Sequence, residues 1–270
     1  MSTPKLSKST FPLLGLMILI SAGLLGPGGS QAQASGKLVL VLGTAQSVIA
    51  PAIRAVGGVP VSGLGGRPFT DLSVIVLGNI AYQAIPGEVS AELRSFLSRG
   101  GSLLITGGRQ SFGSGGYEVI QDLLPFAIWI PDDFIAKPFK PPIALTPNHP
   151  AIGGGRLATI GQFNDMNPKP GALEILQHPG GGGRVARFSA PLMAEQRVGG
   201  GLVLGMAFDV AEVVPASVDG GQEVMKNTIR YLLSESAIPA PRPGTTRLPG
   251  PPGSGQLRCV EMPNGKFACF

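Results

Sequence analysis

The fold of this chain is constrained most by two short apolar runs, LSVIVL at Leu72–Leu77 and LLIT at Leu103–Thr106. Apolar runs of this length, without polar alternation, are typical of strands that are buried on both faces of a sheet. Between the two runs, Val89, Leu93 and Phe96 recur at helical spacing. A strand, a helix and a second strand joined by short links predict a right-handed parallel crossover, and therefore an open α/β sheet.

The other periodic segments fit the same kind of sheet. The run KLVLV at Lys37–Val41 predicts another buried strand, and a helical pattern follows it. Leu192–Arg197 and Leu202–Phe208 flank a glycine turn, which predicts a β-hairpin, and Gln222–Leu233 predicts a final helix. A shorter helix is predicted at Tyr117–Leu124, and further short strands are predicted at Ile143–Thr146, Leu173–Gln177 and Arg184–Phe188.

Residues 1–34 have the layout of a secretory signal peptide. Lys5 and Lys8 precede an apolar run from Phe11 to Leu25, and Ala32-Gln33-Ala34 is a typical cleavage site. This run is shorter than the roughly 20 residues that a membrane-spanning helix needs. We therefore predict cleavage after Ala34 and a secreted or periplasmic protein without a stable membrane span. The alternative is a protein anchored in the membrane by an uncleaved N-terminal segment.

Composition divides the remainder of the chain into three parts. Residues 35–235 carry the strand and helix patterns and are long enough for one α/β domain. Residues 236–257 are rich in proline and glycine, which predicts an extended linker. Residues 258–270 contain both cysteines of the chain, Cys259 and Cys269, which in an exported protein predict a hairpin closed by a disulfide. A three-residue loop with Gly265 left-handed would place them opposite each other, whereas a two-residue turn would misalign them.

The charge and the histidine content exclude several partners and cofactors. The formal net charge is +5, but no run of lysine and arginine with interleaved aromatic residues occurs. We therefore predict no nucleic-acid partner. The two histidines lack acidic neighbours at metal-ligand spacing, so we predict no metal site. The glycines at 63–66 precede a strand rather than a helix, which does not fit a dinucleotide fingerprint, and we predict no cofactor.

The main candidate for a binding site is the glycine-rich loop after the second apolar run. Ligands in open α/β sheets dock beyond the carboxyl ends of the strands. Asn79 and Asp209 follow flanking strands and are expected to border the same crevice. Backbone N–H groups of the loop could hold a carboxylate or phosphate, or the glycines could merely allow a tight turn while the arginine pairs with a local acid. The loop residues predicted to bind a ligand are Gly107, Gly108, Arg109, Gln110 and Ser111.

The order of the motifs resembles a known family. VIVLGNI, LRSFLSRGG, SLLITGGRQSFGSGGY and DLLP follow one another, and LTPNHPAI and PLMAEQRVGGGLVLGMAFD come later. In this order they are similar to the glutamine amidotransferase-like domain family of the class I glutamine amidotransferase superfamily. The resemblance implies a flavodoxin-like sheet, open and mostly parallel with helices on both faces, here with a β-hairpin extension. It also implies a cysteine nucleophile on the turn after the strand at Leu103–Thr106, assisted by a downstream histidine and glutamate.

The residues at that turn depart from the family's pattern. The turn reads Thr106-Gly107-Gly108-Arg109, and glycine has no side chain that could attack a carbonyl. We therefore predict a non-catalytic binding or scaffolding protein of the cell envelope or extracellular space. Its partner would be a small anionic or polar ligand, or an envelope protein.

Two alternatives remain open at this point. The first is a hydrolase or amidotransferase that uses Ser111 as nucleophile, with His149 or His178 as the base. The second is a spacer domain that presents the C-terminal hairpin as its interacting part.

Overall fold

The computed structural model describes residues 36–128, 134–180, 190–217, 220–241, 259–261 and 267–269. Its largest element is an eight-stranded sheet in the order β2-β1-β3-β4-β12-β11-β10-β7. The strands are β1 (Leu38–Gly43), β2 (Val59–Val61), β3 (Leu72–Gly78), β4 (Ser102–Thr106), β5 (Phe126–Ala127), β6 (Phe134–Lys140), β7 (Ile143–Ala144), β8 (Ile160–Asn164), β9 (Asn167–Pro168), β10 (Leu173–His178), β11 (Ala190–Val198), β12 (Gly201–Met206), β13 (Cys259–Glu261) and β14 (Phe267–Cys269).

The helical segments are mostly short and follow the strands closely. The α-helices are α1 (Gln46–Ala55), α2 (Gly87–Ser98), α3 (Val210–Ala216) and α4 (Gly221–Glu235). Short 3-10 segments cover Phe69–Asp71, Tyr82–Ala84 and Tyr117–Leu123, and a π-type turn covers Arg109–Gly113. The predicted helix after the glycine loop is therefore a 3-10 segment. None of the helices among the described residues is long and apolar enough to cross a membrane.

The centre of the sheet is parallel and fully buried. Strand β4 lies between β3 and β12 and runs parallel to both, and β3 runs parallel to β1. Every residue of β3 and of β4 is buried, as the apolar runs predict. The sequence prediction of an open, mostly parallel, flavodoxin-like sheet is confirmed.

Helices cover both faces of this sheet and create two apolar cores. On one face, Ile49 of α1 and Met225 of α4 pack with Leu104 of β4. On the other face, Phe96 of α2 packs with Ile105 of β4. Because each strand contributes alternate residues to the two cores, both faces must be apolar.

The predicted β-hairpin extends the sheet with antiparallel strands. Strands β11 and β12 pair antiparallel around Gly199 and Gly200, and β10 and β7 continue beyond β11. Strand β7 is the last strand of the sheet, which agrees with the edge pairing predicted around Ile143. The sequence did not reveal that β12 would also pair parallel with β4. The strand predicted at Arg184–Phe188 lies outside the described residues.

Several elements of the structure were not predicted from the sequence. These are the edge strand β2, the short helix α3 and two small ribbons, in which β5 pairs with β9 and β6 pairs with β8. The ribbons come from segments that are dense in proline, and their hydrogen-bond partners lie far away in sequence. The ribbon of β6 and β8 contributes two residues, Phe134 and Asn164, to the candidate functional site described below.

The C-terminal pair of strands has the register that the three-residue loop requires. Strands β13 and β14 are antiparallel, and Cys259 lies opposite Cys269. The disulfide between them stays a prediction, and the predicted signal peptide at residues 1–34 lies outside the described residues. Residues 236–238, assigned to the linker from sequence, still contact the domain, since the Ala237 N–H donates to Gly100 and Ile238 is buried.

The position of β4 leads to a stability prediction. Leu104 is fully buried in the middle of the sheet, so Leu104→Ala should lower the free energy of unfolding by about 2–5 kcal/mol. Leu173, which is 45% exposed at the start of β10, provides the control, and Leu173→Ala should change stability by less than about 0.5 kcal/mol. Urea unfolding measures both values. Equal effects of the two substitutions would contradict the central position of β4.

Candidate functional site

The carboxyl ends of β3, β4 and β12 lie side by side at one edge of the sheet. Asn79 directly follows β3, the glycine loop follows β4, and Asp209 comes shortly after β12. The structure brings Asn79, Asp209 and the start of the loop into direct contact, as expected for strands that share an edge.

Asn79 joins the loop to Asp209. Its Nδ2 donates to Asp209 Oδ2 at 2.6 Å, and its Oδ1 accepts the backbone N–H of Gln110 at 2.9 Å. The backbone of Asn79 is left-handed, with φ of 43°, a conformation that asparagine tolerates better than most residues. This conformation turns the side chain of Asn79 towards both partners.

Asp209 connects the same network to helix α3. Its Oδ1 accepts the backbone N–H of Ala211 at 2.9 Å, which is the arrangement of an N-terminal helix cap. Its other oxygen is bound by Asn79. Both carboxylate oxygens of Asp209 are therefore engaged in holding the edge of the sheet together.

A second asparagine, Asn164 at the end of β8, was not identified from the sequence. Its Oδ1 accepts the backbone N–H of Gly108 at 2.9 Å, and its Nδ2 lies 3.4 Å from the Gly108 carbonyl oxygen. Asn164 is fully buried. No local sequence signal marks it, because it belongs to a short strand in a proline-dense region and acts on a loop 56 residues away.

Four backbone donors at the start of the glycine loop have acceptors inside the protein. The Gly107 N–H donates to the Met206 carbonyl oxygen at 2.6 Å, and the Ser111 N–H donates to the Gly108 carbonyl oxygen at 3.2 Å. The N–H groups of Gly108 and Gln110 are taken by Asn164 and Asn79, as described above. The exposed side chains of this part of the loop are those of Arg109 and Gln110.

Arg109 is the charged group of the crevice. Its guanidinium lies 5.7 Å from the centre of the Phe134 ring, within the range of a cation–π contact. In the part of the chain that the structure describes, no acid lies within ion-pair distance of Arg109. The proposed pairing of Arg109 with a local acid is therefore not found among these residues.

Ser111 lies inside the domain and does not face the crevice. Its side chain is fully buried, and its hydroxyl has no hydrogen-bond partner among the described residues. It lies next to the Tyr117 phenol, whose pKa is raised by burial, while the neighbouring Ser111 opposes this shift. A substrate at the crevice would not reach the Ser111 hydroxyl.

Neither histidine belongs to the crevice network. His149 is buried against Tyr231, with ring centres 5.0 Å apart, and its Nε2 lies 3.5 Å from Glu195 Oε2. His178 is buried on β10, three strand positions from β4, with its ring 4.9 Å from that of Phe163. The residues described contain no group of three His, Cys, Asp or Glu side chains that could hold a metal ion.

The turn at which the sequence resemblance implies a cysteine has no room for a side chain. A Cβ atom on Gly107 would lie 2.5 Å from Asn164 Oδ1 and from the Ala207 carbonyl oxygen. Gly108 has φ of 130°, and a Cβ there would lie 2.3 Å from Asn79 Oδ1. The two asparagines therefore fill the space that a nucleophile would occupy on this turn.

Solved structures share the fold at low sequence identity. The cytoplasmic protein STM3548 from Salmonella typhimurium aligns with a TM-score of 0.53 at 18% identity, over 74% of this chain and 97% of that chain. The cytoplasmic protein STM1381 from Salmonella typhimurium LT2 aligns with a TM-score of 0.54 at 13% identity, over 74% and 99%. A ThuA-like protein from Bacteroides uniformis aligns with a TM-score of 0.50 at 14% identity, over 80% and 97%.

These similarities show the fold alone. They support an open α/β sheet, in agreement with the fold that the sequence predicts. The sequence matches no protein-family model and no curated protein.

The role of Asn79 leads to a prediction with two substitutions. Asn79→Gly removes both side-chain hydrogen bonds and should lower the free energy of unfolding by about 1–3 kcal/mol. Asn79→Ala removes the same bonds and also places a Cβ-bearing residue at positive φ, so it should be less stable than Asn79→Gly by about 1 kcal/mol.

Chemical denaturation of the two variants measures this difference. Asn148→Ala, at an exposed position, is the control and should behave like the unmodified protein. A loss no larger than that of the control would show that Asn79 does not hold the loop.

Proposed function

We propose that this chain is an exported, non-catalytic member of the glutamine amidotransferase-like family that binds a small anionic or polar ligand at the crevice. One observation carries the proposal. The two glycines of the nucleophile turn, Gly107 and Gly108, are packed against Asn164 and Asn79 so closely that no reactive side chain fits there. The turn is thus built for a fixed backbone shape and not for covalent chemistry.

The charge at the crevice favours an anion or a strongly polar molecule. Arg109 is exposed, carries no ion pair with the described acids, and is held near the loop by the Phe134 ring. Gln110 is exposed beside it and adds an amide that can both donate and accept. Asp209, the acid of the network among the described residues, has both oxygens in hydrogen bonds, which reduces its repulsion of an anionic ligand.

Within this proposal, Asn79, Asn164 and Asp209 are positioning residues. They fix the backbone from Gly108 to Gln110, so that little ordering entropy is lost when a ligand binds. The ligand itself would contact the side chains of Arg109 and Gln110. An envelope protein that offers a carboxylate is a possible source of the same chemistry.

A binding experiment tests the proposal. We expect L-glutamate, L-glutamine or inorganic phosphate to raise the melting temperature of the purified chain, because a ligand bound to the folded state stabilises it by mass action. Arg109→Gln should abolish the increase, whereas Arg54→Gln, at an exposed position on α1, should preserve it. The unmodified protein should release no ammonia from glutamine.

The outcomes separate the two parts of the proposal. Ammonia release above the rate of a buffer control would contradict the non-catalytic role. Equal shifts in Arg109→Gln and Arg54→Gln would show that the crevice is not the binding site.

Export is tested separately. The sequence of residues 1–34 predicts that the protein purified from an envelope or extracellular fraction begins at Ser35. Mass spectrometry of the intact protein measures this terminus directly. Ala34→Arg places a long charged side chain at the cleavage position, so it should leave the precursor uncleaved. A mature protein that retains Met1 would instead favour the uncleaved anchor.

A further inference from the structure

A second cavity lies on the face of the sheet that carries α4, away from the glycine loop. It is enclosed by the loop that runs from Ile152 to Ala158, the strands β7 and β10, and the first turn of α4. An inner part of about 270 Å³ adjoins an outer, more open part of about 660 Å³, and the two share Gly155, Arg156 and Leu157. Together they have the size of a small-molecule site.

The inner part is lined mainly by aliphatic side chains, and the outer part also carries two charged ones. The inner wall is formed by aliphatic side chains, which are Ala144, Ile152, Leu157, Leu176 and Val224. The outer wall carries Arg156 and Glu223. Glu223 pairs with Lys226 on the same helix, whereas Arg156 is exposed and forms no ion pair with the acids that the structure describes. The mouth therefore has an unpaired positive charge.

Hydrogen bonds within the protein hold the wall of the cavity in place without a ligand. Asn227 Nδ2 donates to the Ile152 carbonyl oxygen at 3.2 Å, and Thr228 Oγ1 donates to the Ala151 carbonyl oxygen at 3.0 Å. At the other end, the Ala158 N–H donates to Ser217 Oγ at 2.8 Å. These three bonds tie both ends of the loop to α4 and to the turn that precedes it, so the cavity is preformed.

The glycines of the loop allow it to approach the helix closely. A Cβ atom on Gly155 would lie 2.8 Å from Val224 Cγ2, which any larger residue would have to displace. Gly153 and Gly154 have φ of 53° and 78°, values that turn the chain sharply before Arg156. The backbone thus places Arg156 where the inner and outer parts of the cavity meet.

We infer that this cavity binds an aliphatic carboxylate, with the carbon chain in the inner part and the carboxylate at Arg156. Burial of the chain against the aliphatic wall supplies affinity, and the guanidinium selects the negative group. The site is separate from the crevice of Arg109 and does not depend on the function proposed there.

Calorimetric titration of the purified chain with sodium octanoate tests the inference. We expect saturable binding at one site, and about tenfold weaker binding in Arg156→Gln, because a charge-assisted hydrogen bond is lost. Arg54→Gln, with an exposed arginine elsewhere, should bind like the unmodified protein. The neutral probe n-octanol should bind equally to the unmodified protein and to Arg156→Gln, since it lacks the carboxylate.

A substitution that fills the inner part of the cavity tests whether the carbon chain binds there. Ala144→Leu on the edge strand β7 extends a side chain into the inner cavity and should abolish binding of both probes. Circular dichroism and the melting temperature verify that this variant is folded. Arg109→Gln should leave octanoate binding unchanged, which separates this site from the crevice.

Three results would overturn the inference. The first is the absence of saturable octanoate binding to the unmodified chain. The second is equal octanoate affinity in Arg156→Gln and Arg54→Gln. The third is binding of n-octylamine, which is positively charged at neutral pH, as tight as that of octanoate.

Discussion

The structure of the crevice depends on the requirement that buried backbone N–H groups have acceptors. Strand β4 ends in the middle of the sheet, so Gly107 and Gly108, which follow it, are buried. No neighbouring strand can continue the ladder there, and an unpaired buried donor costs about 1–3 kcal/mol. The carboxamide oxygens of Asn79 and Asn164 accept from Gln110 and Gly108 and so replace the missing strand partners.

These hydrogen bonds from the loop to the two asparagines limit which residues can occupy the turn. The asparagines must approach Gly107 and Gly108 closely, and this approach leaves no space for a Cβ atom at either position. A cysteine at position 107 would displace Asn164, the acceptor of the Gly108 N–H, and a cysteine at position 108 would displace Asn79, the acceptor of the Gln110 N–H. The lack of a nucleophile is therefore linked to the packing of the whole edge and is not a property of one residue alone.

The elements that follow from local pattern were predictable from the sequence, and those that depend on distant partners were not. The apolar runs predicted β3 and β4, and the shared edge of parallel strands predicted that Asn79 and Asp209 would meet at the loop. Asn164 was missed because its partner is 56 residues away and its strand, β8, has no distinct periodicity. The burial of Ser111 was missed because a π-type turn directs its side chain inward, which the sequence pattern G-R-Q-S-F-G does not reveal.

Arg109 and Arg156, which form no ion pair with the described acids, have different surroundings and should therefore select different ligands. Arg109 lies beside an aromatic ring and a polar loop, so a bound molecule gains little from aliphatic contact there. Arg156 lies at the mouth of an aliphatic cavity, where each buried methylene group adds about 0.8 kcal/mol. A small polar anion should favour the first site, and an acid with a carbon chain should favour the second. The two proposed sites thus differ mainly in the apolar area beside the charge.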